Sequence, residues 1–241
     1  MKKPRAQNAG PGKIPSRERE EQIDYAGTQK LWQQPLYTIR MPQREKTKSE
    51  IEIKLRITNL PEILRKIKNL RPIPRLRVRE QNTLYDTPQS HLRRRKMLLR
   101  VRVETRANRG AERVILTAKA PPPRDQKTNR PRYKIRAERE QPVPQSSRQY
   151  AKALVALGFR PTFRYDKFRT TFSLPALHLD LDETPAGTYL ELEGNPKAID
   201  SVAKSLGFTK KAYLRATYWD LYAAACRRRG TKPKNMVFTV K

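Results

Sequence analysis

The chain has 241 residues, 36% of them hydrophobic and 32% charged, with a formal net charge of +31. Its single cysteine, Cys226, excludes an intramolecular disulfide, and two histidines, His91 and His178, leave little from which to build a histidine-based zinc site or a Ser-His-Asp triad. No run approaches the roughly 18 apolar residues of a membrane span, and no apolar stretch follows the basic start as in a secretory signal. A reducing, cytoplasmic location without a membrane partner is therefore expected.

Residues 1–46 are rich in Pro, Gln, Lys, Arg and Glu without apolar periodicity, and read as a basic, mostly disordered extension. The stretch around Leu31, Trp32 and Leu36–Ile39 is the part of it able to dock on a domain. The folded domain is expected over 47–226. Alternation predicts a first strand over about 49–57. Asn59 then caps a helix with Pro61 in its first turn and Leu60, Ile63, Leu64 and Ile67 at helical spacing. A second strand covers about 75–85, closed by Asp86-Thr87-Pro88. After a short basic connector, strands over 97–105 and 113–120 flank a hairpin turn at Asn108-Arg109-Gly110. A Pro-rich loop over 121–131 leads to a strand from Arg132 to Glu140. Ser146 or Ser147 caps a helix through Leu157 that Gly158 stops. Strands over about 161–173, 177–182 and 188–193 follow, the last entered through the turn Thr184–Gly187. Helices over about 196–206 and 211–226 close the domain, and the acid-free tail 227–241 is expected to be loose.

The strands share a pattern. In the first, Glu50, Glu52 and Lys54 lie on one face and Ile51, Ile53 and Leu55 on the other. Two carboxylates and an ammonium side by side suit a divalent cation held next to a phosphate. The same alternation sets Arg100 and Arg102 against Leu99, Val101 and Val103, and Thr117 and Lys119 against Leu116 and Ala118. It sets Arg132, Lys134, Arg136, Glu138 and Glu140 against Tyr133, Ile135 and Ala137. Lys167 and Arg169 flank Phe168, and the pairs Asp180/Asp182 and Glu191/Glu193 alternate with leucines. The second strand has no clear parity: Arg75, Arg77 and Arg79 share one that Leu84 and Tyr85 do not continue.

Roughly eight hairpin-linked strands suggest an antiparallel barrel. The amphipathic helices need an apolar surface to cover. The economical arrangement is α+β and inverted: an eight-stranded antiparallel barrel whose apolar faces turn outward under the helices, while the charged faces line a polar tunnel. A sheet with one solvated face also explains alternation, but not the repeated acid-x-acid and base-x-base pairs. The proposed interior holds seven bases and eight acids, near neutral, so the +31 belongs to the outside and the tails. A triphosphate enters such a tunnel only with divalent cations that neutralise the acids.

In order along the chain, Glu50-x-Glu52-x-Lys54, Leu84-Tyr85-Asp86-Thr87-Pro88, Leu99-Arg100-Val101-Arg102, Leu116-Thr117-Ala118-Lys119, Arg136-x-Glu138-x-Glu140, Lys167-x-Arg169, Asp182-Glu183-Thr184-Pro185, Glu191-x-Glu193 and Tyr218 resemble the signature of the CYTH superfamily. These are the triphosphate tunnel metalloenzymes, among them class IV adenylyl cyclases, thiamine and inorganic triphosphatases and fungal-type RNA triphosphatases. The resemblance covers about residues 49–222 and implies an eight-stranded tunnel. It implies Mg2+ or Mn2+ on Glu50, Glu52, Glu191 and Glu193, with Asp182 beside them. Glu138 and Glu140 either bind metal or orient arginines. It implies a triphosphate gripped by Lys54, Arg100, Arg102, Lys119, Arg136, Lys167 and Arg169, with Lys54, Arg100 and Arg102 nearest the chemistry.

The expected function is metal-assisted hydrolysis of ATP, inorganic triphosphate or a similar substrate. The first alternative is a class IV adenylyl cyclase making cyclic AMP and pyrophosphate. The second is a polyphosphate- or RNA-binding protein that uses basic stretches such as Arg93–Lys96 and Arg227–Arg229. Aromatics make up only 7% of the chain, and no interleaved stacking platform accompanies those stretches. A homodimer stays open.

Overall fold

The computed structural model describes residues 48–106, 112–122, 132–144 and 146–239. The expected N-terminal extension with its Leu31–Ile39 stretch, the turn at Asn108–Gly110 and most of the loop over 121–131 lie outside the described residues. The strands are β1 (Lys48–Ile57), β2 (Ile73–Asp86), β3 (Leu98–Arg106), β4 (Glu112–Ala120), β5 (Lys134–Val143), β6 (Arg160–Leu174), β7 (Leu177–Thr184) and β8 (Gly187–Gly194). They close into a barrel in the order β1-β5-β4-β3-β2-β6-β7-β8, with every neighbouring pair antiparallel.

The helices are α1 (Leu60–Asn69), α2 (His91–Arg94), α3 (Ser147–Ala156), α4 (Pro196–Ser205) and α5 (Tyr218–Arg228). Their starts follow from local chemistry. Asn59 and Asn195 cap α1 and α4, each with a proline in the first turn. Ser146 with Gln149, and Thr217 with Asp220, form capping boxes for α3 and α5. The Thr217 box sets a correction: the last helix begins at Tyr218, not near 211. The preceding residues instead form a 3-10 turn at Lys210–Ala212, and Leu214 pairs backbone to backbone with Lys54. The basic connector before β3 holds the short α2, which was not expected.

The barrel is inverted, as the alternation required. Ile53 and Leu55 of β1, Leu179 of β7, and Leu190 and Leu192 of β8 point outward and are buried beneath Ile63 and Ile67 of α1 and Ile199, Ala203 and Leu206 of α4. Val101 and Val114 pack outward against Leu154 of α3. Burial of such side chains contributes about 1.5–3 kcal/mol each, and it leaves the charged parity no direction but inward. A further aromatic cluster of Phe163, Tyr165, Tyr189 and Tyr218, with Trp219 packed against it, gathers where α5 meets the barrel. The expected loose tail is also corrected. Met236 is 1% exposed, exchanges backbone hydrogen bonds with Arg164 and Asp166 of β6, and is followed by Phe238, whose ring packs tilted against Phe168 at 5.1 Å. The apolar side chain of Met236 and the open backbone of β6 outweigh the charge of the segment.

Candidate functional site

The inward faces surround a cavity of about 540 Å3. Cross-strand register sets who meets whom. Lys54 lies opposite Glu191, Glu52 opposite Glu193 and Lys134, and Glu50 opposite Arg136. Two ion-pair groups result. In the first, the Lys54 ammonium lies 3.1 Å from Glu52 and 2.9 Å from Glu191. The Lys119 ammonium lies 2.6 Å from Glu50 and 3.0 Å from Glu138, and Lys134 lies 2.5 Å from Glu52. In the second, Asp182 accepts from Lys167 at 2.9 Å, from Arg169 at 2.6 Å and from the Tyr218 hydroxyl at 2.5 Å. Arg169 also reaches Asp180 at 2.8 Å. Its 2.6 Å contact with Glu191 joins the two groups.

Arg100 and Arg102 complete the wall. Both donate to Glu140, at 3.0 and 2.9 Å, and Arg100 also donates to Thr117 and to the Tyr165 hydroxyl. The Tyr218 ring lies beneath Lys54 and Lys167, at 5.4 and 5.3 Å. Glu193 lines the cavity. Arg136 also lines it, but its guanidinium donates to the Lys96 carbonyl at the connector before β3. The other expected site residues are brought together. An eight-stranded closed tunnel with this ordered set of motifs on its inner face is the decisive feature, and a CYTH domain family model matches residues 48–215.

The chain belongs to the CYTH domain family.

No curated protein matches the sequence. Among solved structures, the PH1819 protein of Pyrococcus horikoshii OT3 is 22% identical with a TM-score of 0.60, over 71% of this chain and 97% of that one. A candidate adenylate cyclase of Vibrio parahaemolyticus is 17% identical with a TM-score of 0.60, over 73% and 98%. HpAC1 of Hippeastrum, a candidate adenylyl cyclase described with a dominant triphosphatase activity, is 20% identical with a TM-score of 0.50, over 76% and 96%. These likenesses show the fold.

Charge inside this CYTH tunnel is tuned by burial and by neighbours. Burial pushes Glu52 up, but Lys54, Lys134 and Lys119 outweigh it and hold its pKa at about 2. Burial likewise raises Glu191, and Lys54, Arg169 and Lys167 more than reverse that. Glu140 is held at about 2 because Arg102 and Arg100 overcome its burial. Glu138 goes the other way: burial, with Glu50 and Glu140 nearby, lifts it to about 7 against the pull of Lys119. Burial lowers Lys54, yet Glu191 and Glu52 raise it above the ordinary lysine value, so it is an ammonium at neutral pH. Lys134 is held below that value by burial and by Lys54.

Two residues of the ion-pair network escape the sequence reading. Glu80 of β2 is 1% exposed and faces Arg102, Lys167 and Arg169 at 3.4, 3.3 and 3.7 Å. Lys134 joins the first ion-pair group through Glu52. Its signal was present, since it stands two residues before Arg136 on the same parity.

Proposed function

We propose that the chain hydrolyses a nucleoside or inorganic triphosphate bound in its tunnel, water attacking the terminal phosphorus. The observation that carries this reading is a single inner face on which Arg100, Arg102, Lys167 and Arg169 converge on one cavity beside the carboxylates Glu52 and Glu191. CYTH enzymes are divalent-metal dependent. Glu50, Glu52, Glu138, Glu191 and Glu193 are hard oxygen donors of the type such an ion takes, but among the described residues no three acids are grouped to hold one, and ammonium groups occupy Glu50, Glu52, Glu138 and Glu191. Mg2+ or Mn2+ arriving with the triphosphate would neutralise part of its charge and lower the pKa of a bound water.

The chain's own groups supply positioning and charge. Arg100 and Arg102 share Glu140, a partly exposed carboxylate that an arriving phosphate replaces as counter-ion. Lys167 and Arg169 are fixed by Asp182 and Glu80, so their charge is aimed before substrate arrives. That geometry makes Asp182 a positioning group in this reading, not a metal ligand. Lys54 stays protonated between two carboxylates and acts as a phosphate clamp, not as a base. Cyclisation of ATP would use the same charges, but would also require the ribose 3′-hydroxyl to be held in line with the α-phosphorus. Hydrolysis requires only water. Arg100→Ala is expected to lower kcat/KM about 100-fold with an unchanged circular dichroism spectrum. Unchanged efficiency would remove Arg100 from the site.

A further inference from the structure

The Thr217–Asp220 capping box fixes where α5 begins, and so sets its first two rings, Tyr218 and Trp219, at the cavity wall. The Tyr218 hydroxyl donates to Asp182, and its ring lies beneath Lys54 and Lys167. Trp219 has a different partner. The guanidinium of Arg93, which lines the cavity from α2, lies 5.9 Å over the Trp219 ring. Arg93 is exposed, and among the described residues it makes no ion pair.

Rings connect this pair to a residue that grips phosphate in the hydrolase reading. Phe163 meets Trp219 edge-on at 4.9 Å, Phe163 and Tyr165 stack at 5.6 Å, and the Tyr165 hydroxyl accepts from Arg100. All of them line the same cavity. A substrate whose phosphates reach Arg100 therefore has its organic part within reach of Trp219.

Polar groups share this wall, but several are already engaged. Asp86 accepts from the backbone amides of Thr87, Leu92 and Arg93, and Thr217 and Asp220 bond each other in the capping box. The tryptophan face and the guanidinium stay open to a ligand, and both bind flat π-systems. An exposed guanidinium can lift to admit a base between itself and the ring. Inorganic triphosphate offers nothing flat to either group. We infer that Trp219 and Arg93 form a stacking site for the nucleobase of a nucleoside triphosphate substrate, and so supply binding that inorganic triphosphate cannot gain. This rests on the hydrolase reading above.

The test measures kcat and KM with ATP and with inorganic triphosphate for wild type, Trp219→Leu and Arg93→Ala. Both variants are expected to raise KM for ATP with kcat little changed, about 5- to 100-fold for Trp219→Leu and about 2- to 5-fold for Arg93→Ala. The efficiency ratio, ATP over inorganic triphosphate, is expected to fall by the same factors. A merely structural role would lower both efficiencies alike, and an unchanged ratio would overturn the inference. The chain holds two tryptophans, Trp32 and Trp219, so in a Trp32→Phe background the fluorescence reports on Trp219. Stopped-flow mixing with ATP and Mg2+ is expected to quench it saturably, and mixing with inorganic triphosphate and Mg2+ to leave it nearly unchanged. Equal quenching by both compounds, or none by ATP, would also overturn the inference. Turnover of neither compound by wild type would overturn the hydrolase reading, and the fluorescence would still decide the stacking site.

Discussion

Asp182 is fully buried, and Lys167, Arg169 and the Tyr218 hydroxyl all converge on it. Removing its charge takes one carboxylate from two buried cations, which keep Glu80, Asp180 and Glu191 as partners, and breaking a buried pair costs at most about 3–5 kcal/mol. Asp182→Asn is therefore expected to lower the unfolding free energy of the metal-free protein, measured by urea denaturation, by up to that amount. A loss below about 1 kcal/mol, together with weakened metal binding, would return Asp182 to the metal set. At this scale the sequence was legible wherever charge alternated without interruption, as from Glu50 to Lys54 and from Leu99 to Arg102. Glu80 was hidden because β2 carries irregularities between Pro74 and Arg77 and between Leu84 and Tyr85. Arg77 and Arg79 dominate the parity that proves to face outward, where they pair with Glu183 and Asp166. Lys134 had its parity on show, but not its partner: Glu52 is 82 residues away in sequence, and only the β1–β5 register brings them together.

Between elements, a small polar knot fixes α4 to its surroundings. Asp200 of α4 accepts from the hydroxyls of Tyr133 at 2.6 Å and Tyr213 at 3.0 Å, and pairs with Lys210 of the 3-10 turn at 2.6 Å. Burial raises its carboxyl, but Lys210, Tyr133 and Tyr213 together hold it below the ordinary aspartate range. A depressed folded-state pKa means that the folded state binds fewer protons than the unfolded chain. The contribution is thus complete above about pH 4 and is lost as pH falls below it. Asp200→Asn is expected to unfold more easily than wild type at pH 7, with the two converging below about pH 4. A gap independent of pH would show that the knot acts through packing alone. Element starts were readable where capping chemistry was strong, as at Asn59 and Ser146. The Thr217–Asp220 box was equally readable, and apolar residues from Ala212 onward masked it. The docking of Met236 had no local signal. The apolar run Met236–Phe238 is too short to show a period, and its partner strand is about 70 residues earlier.

Among the described residues, acids and bases largely meet each other inside the tunnel, so the excess positive charge of those residues lies outside it. Arg93–Lys96 and Arg227–Arg229 are exposed, and Arg93 lies 5.9 Å over the Trp219 ring beside the cavity. If this exterior holds RNA, binding is expected to fall steeply between about 50 and 200 mM salt, by counterion release, while triphosphate turnover changes little. Parallel losses of binding and turnover would place the nucleic-acid contact in the tunnel itself. The architecture as a whole was legible because one rule, charged parity inward and apolar parity outward, held on nearly every strand. The substrate was not, because the phosphate-gripping charges serve hydrolysis and cyclisation alike. The most direct measurement is product analysis of the purified chain incubated with ATP and, separately, with inorganic triphosphate, each with Mg2+ or Mn2+ and with a chelator control. Orthophosphate release that requires the cation, with no cyclic AMP, is the predicted result. Cyclic AMP with pyrophosphate, or no turnover of either compound with either cation, would contradict it.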